Sequence, residues 1–467
     1  MAAALGGMVM NAACVSSSIR SDTDRVRELS RMEHLADVTE SEVDPVSSPE
    51  VGAMLSKPLT AKSAVKLALL NNRELRAKLR MMGVSRGRLK QAGLLPNPEA
   101  EIELLPEQDS DIELRLEYDI TGALLAPMRS RAFEPALDAA RYETAIAVVE
   151  LGYMVRVQFY RVQAQEARLA IAQQMLDAYA AGREAAIALR KAGNVRELDL
   201  AQHEVAYEKA RILVAELELG RMNAREALHR LLGLYGPETA WSVQGYLDPV
   251  PAGTVSVPEH IETQALKHSL ELTQRRHELE SLARRAGVKD TAGWLPDVAV
   301  DVHALKSDAE STPVRESWRF GAGVRFSVPI FDRSQGEVLE LESKFSAQLE
   351  RYYGLAVDVR SMARQARAEL ESAHARAAQY LRVIVPAQRR VTDQVMLQYN
   401  AMQVGVFDVL RASRERLQVE LDSVDAQLAY WKAHAALRAL LAGVAVAQPS
   451  EEVATGVSFS DERVEEH

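Results

Sequence analysis

Charged residues fall on alternate positions in four short stretches, and that spacing is the strongest chemical signal in the chain. Glu99, Glu101 and Glu103 alternate with Ala100, Ile102 and Leu104. Glu113, Arg115 and Glu117 alternate with Ile112, Leu114, Leu116 and Tyr118. Later, Asp301 and His303 oppose Val298, Val300 and Val302, while Arg319, Gly321, Gly323 and Arg325 oppose Trp318, Phe320, Ala322, Val324 and Phe326. A period of two puts the charges of each strand on one face and the apolar side chains on the other. Such a face suits contact with water; nothing around it suits catalysis. Gly321-Ala322-Gly323 lies inside a strand, not at a strand-to-helix turn, so it lacks the context of a dinucleotide site. There is no P-loop lysine motif and no HExxH, and the ten histidines are scattered. No enzyme activity, metal site or cofactor is therefore expected. Met81, Met82 and Met154 sit at helical core spacing and read as packing.

Composition narrows the classes further. The 467 residues carry 56 Lys+Arg against 66 Asp+Glu, a formal charge of −10, where a nucleic-acid binder would show a basic stripe. The single cysteine excludes a disulfide scaffold and any CxxC motif. Beyond the first residues no apolar run approaches the roughly 18 residues of a spanning helix. Composition alone thus describes a helical protein in water. The strands say otherwise. Expected at about 97–105, 111–120, 297–305 and 317–329, they form two hairpins of about ten residues per strand, the length that crosses a bilayer in a tilted barrel. Tyr118, Trp294, Trp318 and Phe331 lie near strand ends, where an interfacial aromatic girdle belongs. The alternative is a half-buried hairpin on a soluble core. Four strands cannot close a barrel, and open edges in lipid leave backbone groups unsatisfied, so a membrane reading requires strands shared between subunits.

The elements that carry these hairpins come in two copies. Ala92-Gly93-Leu94-Leu95-Pro96-Asn97 returns as Ala292-Gly293-Trp294-Leu295-Pro296-Asp297, and the ending Ala227-Leu228 through Gly233 returns as Ala436-Leu437 through Gly443. Repeats are expected over 58–236 and 258–443, joined by a Pro/Gly-bearing linker at 237–257. Each reads helix, strand, strand, very long helix, helix. The first helix is expected unbroken over Ala61–Gly93, until Leu-Pro stops it. The long helices are expected over Leu124–Ala192 and Gln335–Gln403, only kinked by Pro135 and Pro386, with return helices Leu198–Leu232 and Val409–Leu441. Leu200, Tyr207, Ile212, Val214 and Leu217 have helical spacing for an antiparallel coiled-coil hairpin, and two hairpins per chain suggest a helical tube. Residues 1–14 form a signal-like apolar segment ending in Ala-Ala-Cys14, a lipobox-like site where Cys14 would carry lipid; an incidental cysteine is the alternative. Residues 15–57 read as a tether with about one helical turn, and 444–467 as an acidic disordered tail.

The ordered set resembles the outer-membrane efflux protein family, typified by TolC. The first helix, Pro58-Leu59-Thr60 through Ala68-Leu69-Leu70-Asn71-Asn72-Arg73-Glu74-Leu75, looks like the family's opening, with Arg73 in place of a usual Pro. Val328-Pro329-Ile330-Phe331-Asp332 looks like the end of its fourth strand. Tyr399-Asn400-Ala401-Met402 through Asp408-Val409-Leu410 resembles its second tip turn, where a Gly usually stands at Met402. The match covers about residues 58–443. It implies a mainly α protein with a small β-barrel part: a homotrimer with a twelve-strand barrel in outer-membrane lipid of a Gram-negative envelope, above a periplasmic coiled-coil tunnel. It implies a passive exit duct for tripartite efflux or type I secretion, served by a periplasmic adaptor and an inner-membrane transporter. Adaptor-facing tips would be Gly193, Asn194, Arg196, Leu198 and Asp199, with Met402, Val404, Gly405 and Asp408. Asp393 would lie near an acidic constriction, a solvated position on a coiled-coil face being the alternative, and Glu99, Glu101, Glu103, Glu113, Arg115, Glu117, Asp301, Arg319 and Arg325 would line the pore. A coiled-coil scaffold of the envelope is the alternative; it explains the helices but not the paired strands. The cargo stays open among metal ions, drugs, solvents and peptides.

Overall fold

The computed structural model describes residues 21–32, 49–105, 111–243, 246–253, 257–307 and 317–446. Cys14, both outer hairpin loops and the acidic tail from 447 onward lie outside the described residues. The chain begins with α1 (residues 21–30) and α2 (Pro49–Leu55). It continues through α3 (Ala61–Asn71), α4 (Arg73–Ala92), strands β1 (Glu99–Leu105) and β2 (Asp111–Asp119), then α5 (Ile120–Lys191) and α6 (Glu197–Leu232). The second half repeats that order as α7 (Ile261–His268), α8 (Leu270–Trp294), β3 (Asp297–Ser307), β4 (Ser317–Ser327), α9 (Gln335–Gln379), α10 (Val385–Asn400) and α11 (Val406–Leu441). Among the described residues, no helix is long and apolar enough to cross a membrane.

The first helix is two helices, not one. Asn72 is extended (φ −60°, ψ 118°), its side chain caps α4 by accepting from Leu75 N, and its amide nitrogen donates to Leu231 O at 3.0 Å. Asparagine is a strong N-cap, so the break was legible at that residue. Ser269 plays the same part between α7 and α8, accepting from Leu272 N. Each break meets the glycine that ends its half. Gly233 (φ +68°) and Gly443 (φ +102°) are left-handed, and a Cβ there would stand 2.7 Å from Asn71 O and 2.4 Å from His268 O. Only glycine tolerates both demands, which explains the shared ending of the two halves.

The long helices also depart from expectation. α5 starts four residues early, at Ile120, because Asp119 caps it by accepting from Gly122 N at 2.7 Å. Its 72 residues reach about 110 Å at about 1.5 Å per residue. The second long helix is interrupted. Pro386 has no N–H for the preceding turn, and a π turn at Tyr380–Ile384 separates α9 from α10, which ends at Asn400, not Gln403.

One core gathers α1 to α5, the segment after α6, and α11; a second joins α7, α9 and α11. Trp241, Leu247 and Val444 are buried in the first, so neither the 237–257 linker nor the start of the tail hangs free. The expected tether is likewise structured in part. Val26 is buried, and the carboxylate of Asp22, 1% exposed, receives Arg86 and Arg141. Where α8 enters this body, Glu271 is pushed up to about 7 by burial and by the neighbouring Glu150. Its unfolded value is near 4.5. The folded state therefore holds a proton that the unfolded state releases, and stability should fall as pH rises from about 4.5 through 7. Thermal melts across that window should show the decline in the native protein and a flatter profile in Glu271→Gln; identical profiles would remove Glu271 as its source.

Candidate channel-forming surfaces

The four strands make one antiparallel sheet in the order β1-β2-β3-β4. Register decides what each face carries. Glu101, Arg115, His303 and Gly321 form one row across it, and Glu99, Glu117, Asp301 and Gly323 the next. Apolar rows alternate with them: Ala100-Leu116-Val302-Ala322 runs between the two, and Ile102-Leu114-Ala304-Phe320 flanks the Glu101 row. A slip of one residue at any pairing would mix the two sets. The sheet is therefore polar on one face and apolar on the other.

The polar face is internally paired. Arg115 donates to Glu113 at 2.9 Å and lies 3.9 Å from Glu101, Arg325 donates to Glu117 at 2.9 Å, and His303 Nδ1 stands 3.1 Å from Asp301. Gly321 and Gly323 make room for that last pair: a Cβ would lie 2.3 Å from the His303 ring and 2.4 Å from the Asp301 carboxylate. The GxG is thus a space-making device on a strand. Glu99, Glu103 and Arg319 are exposed on the same face. On the apolar face Ile102, Phe320, Val324 and Phe326 are exposed. Phe320 and Phe326 were readable from the alternation, yet a search confined to strand ends passes over them.

The aromatic residues divide unevenly. Trp294 is the last residue of α8, not a strand residue; Leu295-Pro296 delays β3 to Asp297, and Trp294 lies under the Arg333 guanidinium at 4.4 Å. Phe331 follows β4, which stops at Ser327, short of 329. With Tyr118 these cluster at the helix-proximal edge, while Trp318 stands at the far end, stacked on Phe320. At the base Thr121 accepts from Val298 N and donates to Pro296 O, tying the two hairpins to α5.

β1 and β4 are the sheet's edges, with no further strand beside them among the described residues. A second unpartnered surface runs down α6. Leu198, Val205, Ile212 and Leu219 recur every seven residues, and all are more than half exposed. Ile212, expected inside the α5–α6 hairpin, faces outward, while Tyr207 and Leu217 stay partly buried. The heptad spacing carried this signal.

Both helical hairpins end in left-handed turns. Gly193 (φ +80°) closes α5, with Asn194 N donating to Leu189 O. Met402 (φ +59°) closes α10 in the same way, with Gln403 N donating to Gln398 O, and its side chain is 94% exposed. Arg196 pairs with Asp199, whose carboxyl is held below its usual range mainly by that hydrogen bond. Asp408 accepts from Gly405 N. Leu198 is exposed and Val404 half-buried. The tips touch just above these turns, where His203 stacks on Phe407 at 4.4 Å and Gly182 admits Leu410. Asp393 is exposed on α10, roughly 10 Å from its end at about 1.5 Å per residue. A non-glycine residue in the left-handed region costs about 1 kcal/mol. Met402→Gly should accordingly raise stability by about 0.5–1 kcal/mol, read as slower amide exchange at Gln403. Faster exchange there would count against strain at this turn.

No family model matches the chain. The cobalt-zinc-cadmium resistance protein CzcC of Cupriavidus metallidurans is 25% identical over 366 residues, 78% of this chain and 85% of that protein. Among solved structures, the channel protein CusC superposes with a TM-score of 0.66 at 19% identity, over 82% of this chain and 91% of its own. The outer-membrane channel OprN gives 0.67 at 18%, over 88% and 96%. CmeC of Campylobacter jejuni, also an outer-membrane channel, gives 0.65 at 16%, over 82% and 85%. The chain carries the TolC-like outer-membrane channel fold. The mostly helical body with its small antiparallel sheet is the architecture that these channel structures share with this chain.

Proposed function

We propose that this protein is the outer-membrane exit duct of a tripartite efflux system. The observation that carries the reading is the sheet: one polar face, one apolar face, two open edges, and helices of about 110 Å below it. Three copies, pairing β4 of one with β1 of the next, give twelve strands with no edge left in lipid. The apolar face then meets lipid, the charged rows line water, and Tyr118, Trp294, Phe331 and Trp318 lie at the two interfaces. The α6 stripe seals against the next protomer's helices. The tip turns Gly193–Asp199 and Met402–Asp408 face the adaptor, and an inner-membrane transporter supplies the energy. Asp393, repeated three times near the tunnel's end, makes an acidic ring that attracts cations. CzcC is named for cobalt, zinc and cadmium, so divalent metal ions are the first cargo class to test.

Purified protein in a planar bilayer tests the duct: stepwise conductance supports it, and a water-soluble monomer without channel activity refutes it. Glu99, Glu101, Glu103, Glu113, Glu117 and Asp301 outnumber Arg115, Arg319 and Arg325 on the polar face. Reversal potentials across a salt gradient should therefore show mild cation preference; clear anion selectivity would contradict this assignment of the lumen.

A further inference from the structure

Where α1, α3, α5 and α11 converge lies a cleft of about 600 Å³. In a chain of charge −10 it is locally basic: among the described residues Arg31, Lys62, Lys66, Arg156 and Arg438 line it, with Asp248 the one acid among them. Among the described residues Arg156 donates to the carbonyl of Gly152, in its own helix, at 3.2 Å. No hydrogen bond or ion pair engages the Arg438 guanidinium among those residues. Burial, then the charge of Arg438, holds Arg156 below the usual arginine range. Burial followed by both arginines lowers His434 in the same way. A buried or crowded cation without a carboxylate partner is unfavourable in the empty site and favourable once an anion arrives. Tyr160, held up at about 12 mainly by burial, remains a neutral hydroxyl donor on the cleft wall. It stacks at 4.9 Å on Trp431, whose indole nitrogen is already committed to Asp248 O.

We propose that this cleft binds a soluble ligand carrying two or more carboxylate or phosphate groups, gripped by Arg156 and Arg438. Two guanidiniums from different helices set the need for more than one anionic group, since each can take a carboxylate or phosphate in bidentate fashion. Arg156 lies about 55 Å along α5 from the sheet at about 1.5 Å per residue. A membrane headgroup is thus out of reach, a point that rests on the sheet being the membrane-spanning part.

Calorimetric titration of the full chain in detergent, at constant ionic strength, tests the site independently of conductance. Citrate serves as the carboxylate probe and pyrophosphate as the phosphate probe, and the stronger binder identifies the source chemistry. Saturable binding of either is expected. It should weaken about tenfold or more in Arg438→Gln, an exposed position whose replacement leaves the fold intact, and further in Arg156→Gln with Arg438→Gln. Arg438→Lys should recover part of the loss. Two results overturn the proposal. One is no saturable binding by the full chain. The other is binding that Arg438→Gln leaves unchanged.

Discussion

Asp22→Ala is expected to lower stability by about 3 kcal/mol, toward the lower end of what breaking a buried ion pair costs. Asp22 sits near the start of α1 and is 1% exposed. Arg86 reaches it with Nε at 2.7 Å and Nη2 at 2.6 Å, and Arg141 with Nε at 2.8 Å and Nη2 at 2.6 Å. Removing the carboxylate leaves two guanidiniums facing each other across a cavity. Arg141 keeps Asp138 at 2.7 Å, and both arginines are partly exposed and can rehydrate, which is why the lower end applies. Because α1 packs Val26 into the core and Met32 just beyond it lies against Gly152, its loss should also open the flank of α5. Thermal melts and limited proteolysis near residue 31 read the two effects. Asp24→Ala is the control, since Asp24 is exposed and pairs with Arg27 of its own helix at 2.8 Å. Equal behaviour of the two variants would mean the anchor does not hold the helix.

Val205→Asp combined with Ile212→Asp should abolish assembly while sparing the protomer. Both side chains lie outside the core and more than half exposed, so within one chain the change should stay near 0.5 kcal/mol. In the proposed trimer they are buried by the neighbour. Each new carboxylate would then enter an apolar seam without a partner, at several kcal/mol apiece, and three copies multiply the effect. Light scattering in detergent should report monomers with unchanged helical circular dichroism, and bilayer conductance should vanish. Glu204→Gln, on an exposed position of the same helix, should do neither. A double variant that remains trimeric would show that α6 faces something other than a second copy.

Much of this was legible in the sequence, for physical reasons that differ from element to element. The strands were, because period-two charge leaves a one-residue slip nowhere to hide; the observed register keeps Glu101, Arg115 and His303 in one row. The tip turns were, through Gly193 and through the departure at Met402. The break at Asn72 was present as a cap signal but was outweighed by the helical periodicity around it. The π turn before Pro386 was read as a mere kink, since a missing N–H does not say how the neighbouring turns will readjust. Trp294 lies near a strand end as expected but closes α8, because Leu295-Pro296 stands between it and β3. The one helical turn expected in the tether understates α1, whose hold on the body comes from Arg86 and Arg141, partners that no local pattern connects to Asp22. Tertiary ion pairs and clefts such as that between Arg156 and Arg438 leave no periodic trace.

The open strand edges have a consequence for inheritance. Each chain of the proposed trimer must offer one sound β1 edge and one sound β4 edge, and a ring fails at a single bad seam. A variant damaged only at β4 would still offer a good β1 to its neighbours and so enter mixed rings. In a cell making equal amounts of both proteins, random mixing leaves about one trimer in eight wholly intact. Such an allele would behave as dominant, and the export phenotype would collapse well before half the protein is lost. A variant that cannot assemble at all, such as the α6 double substitution, would by contrast be recessive.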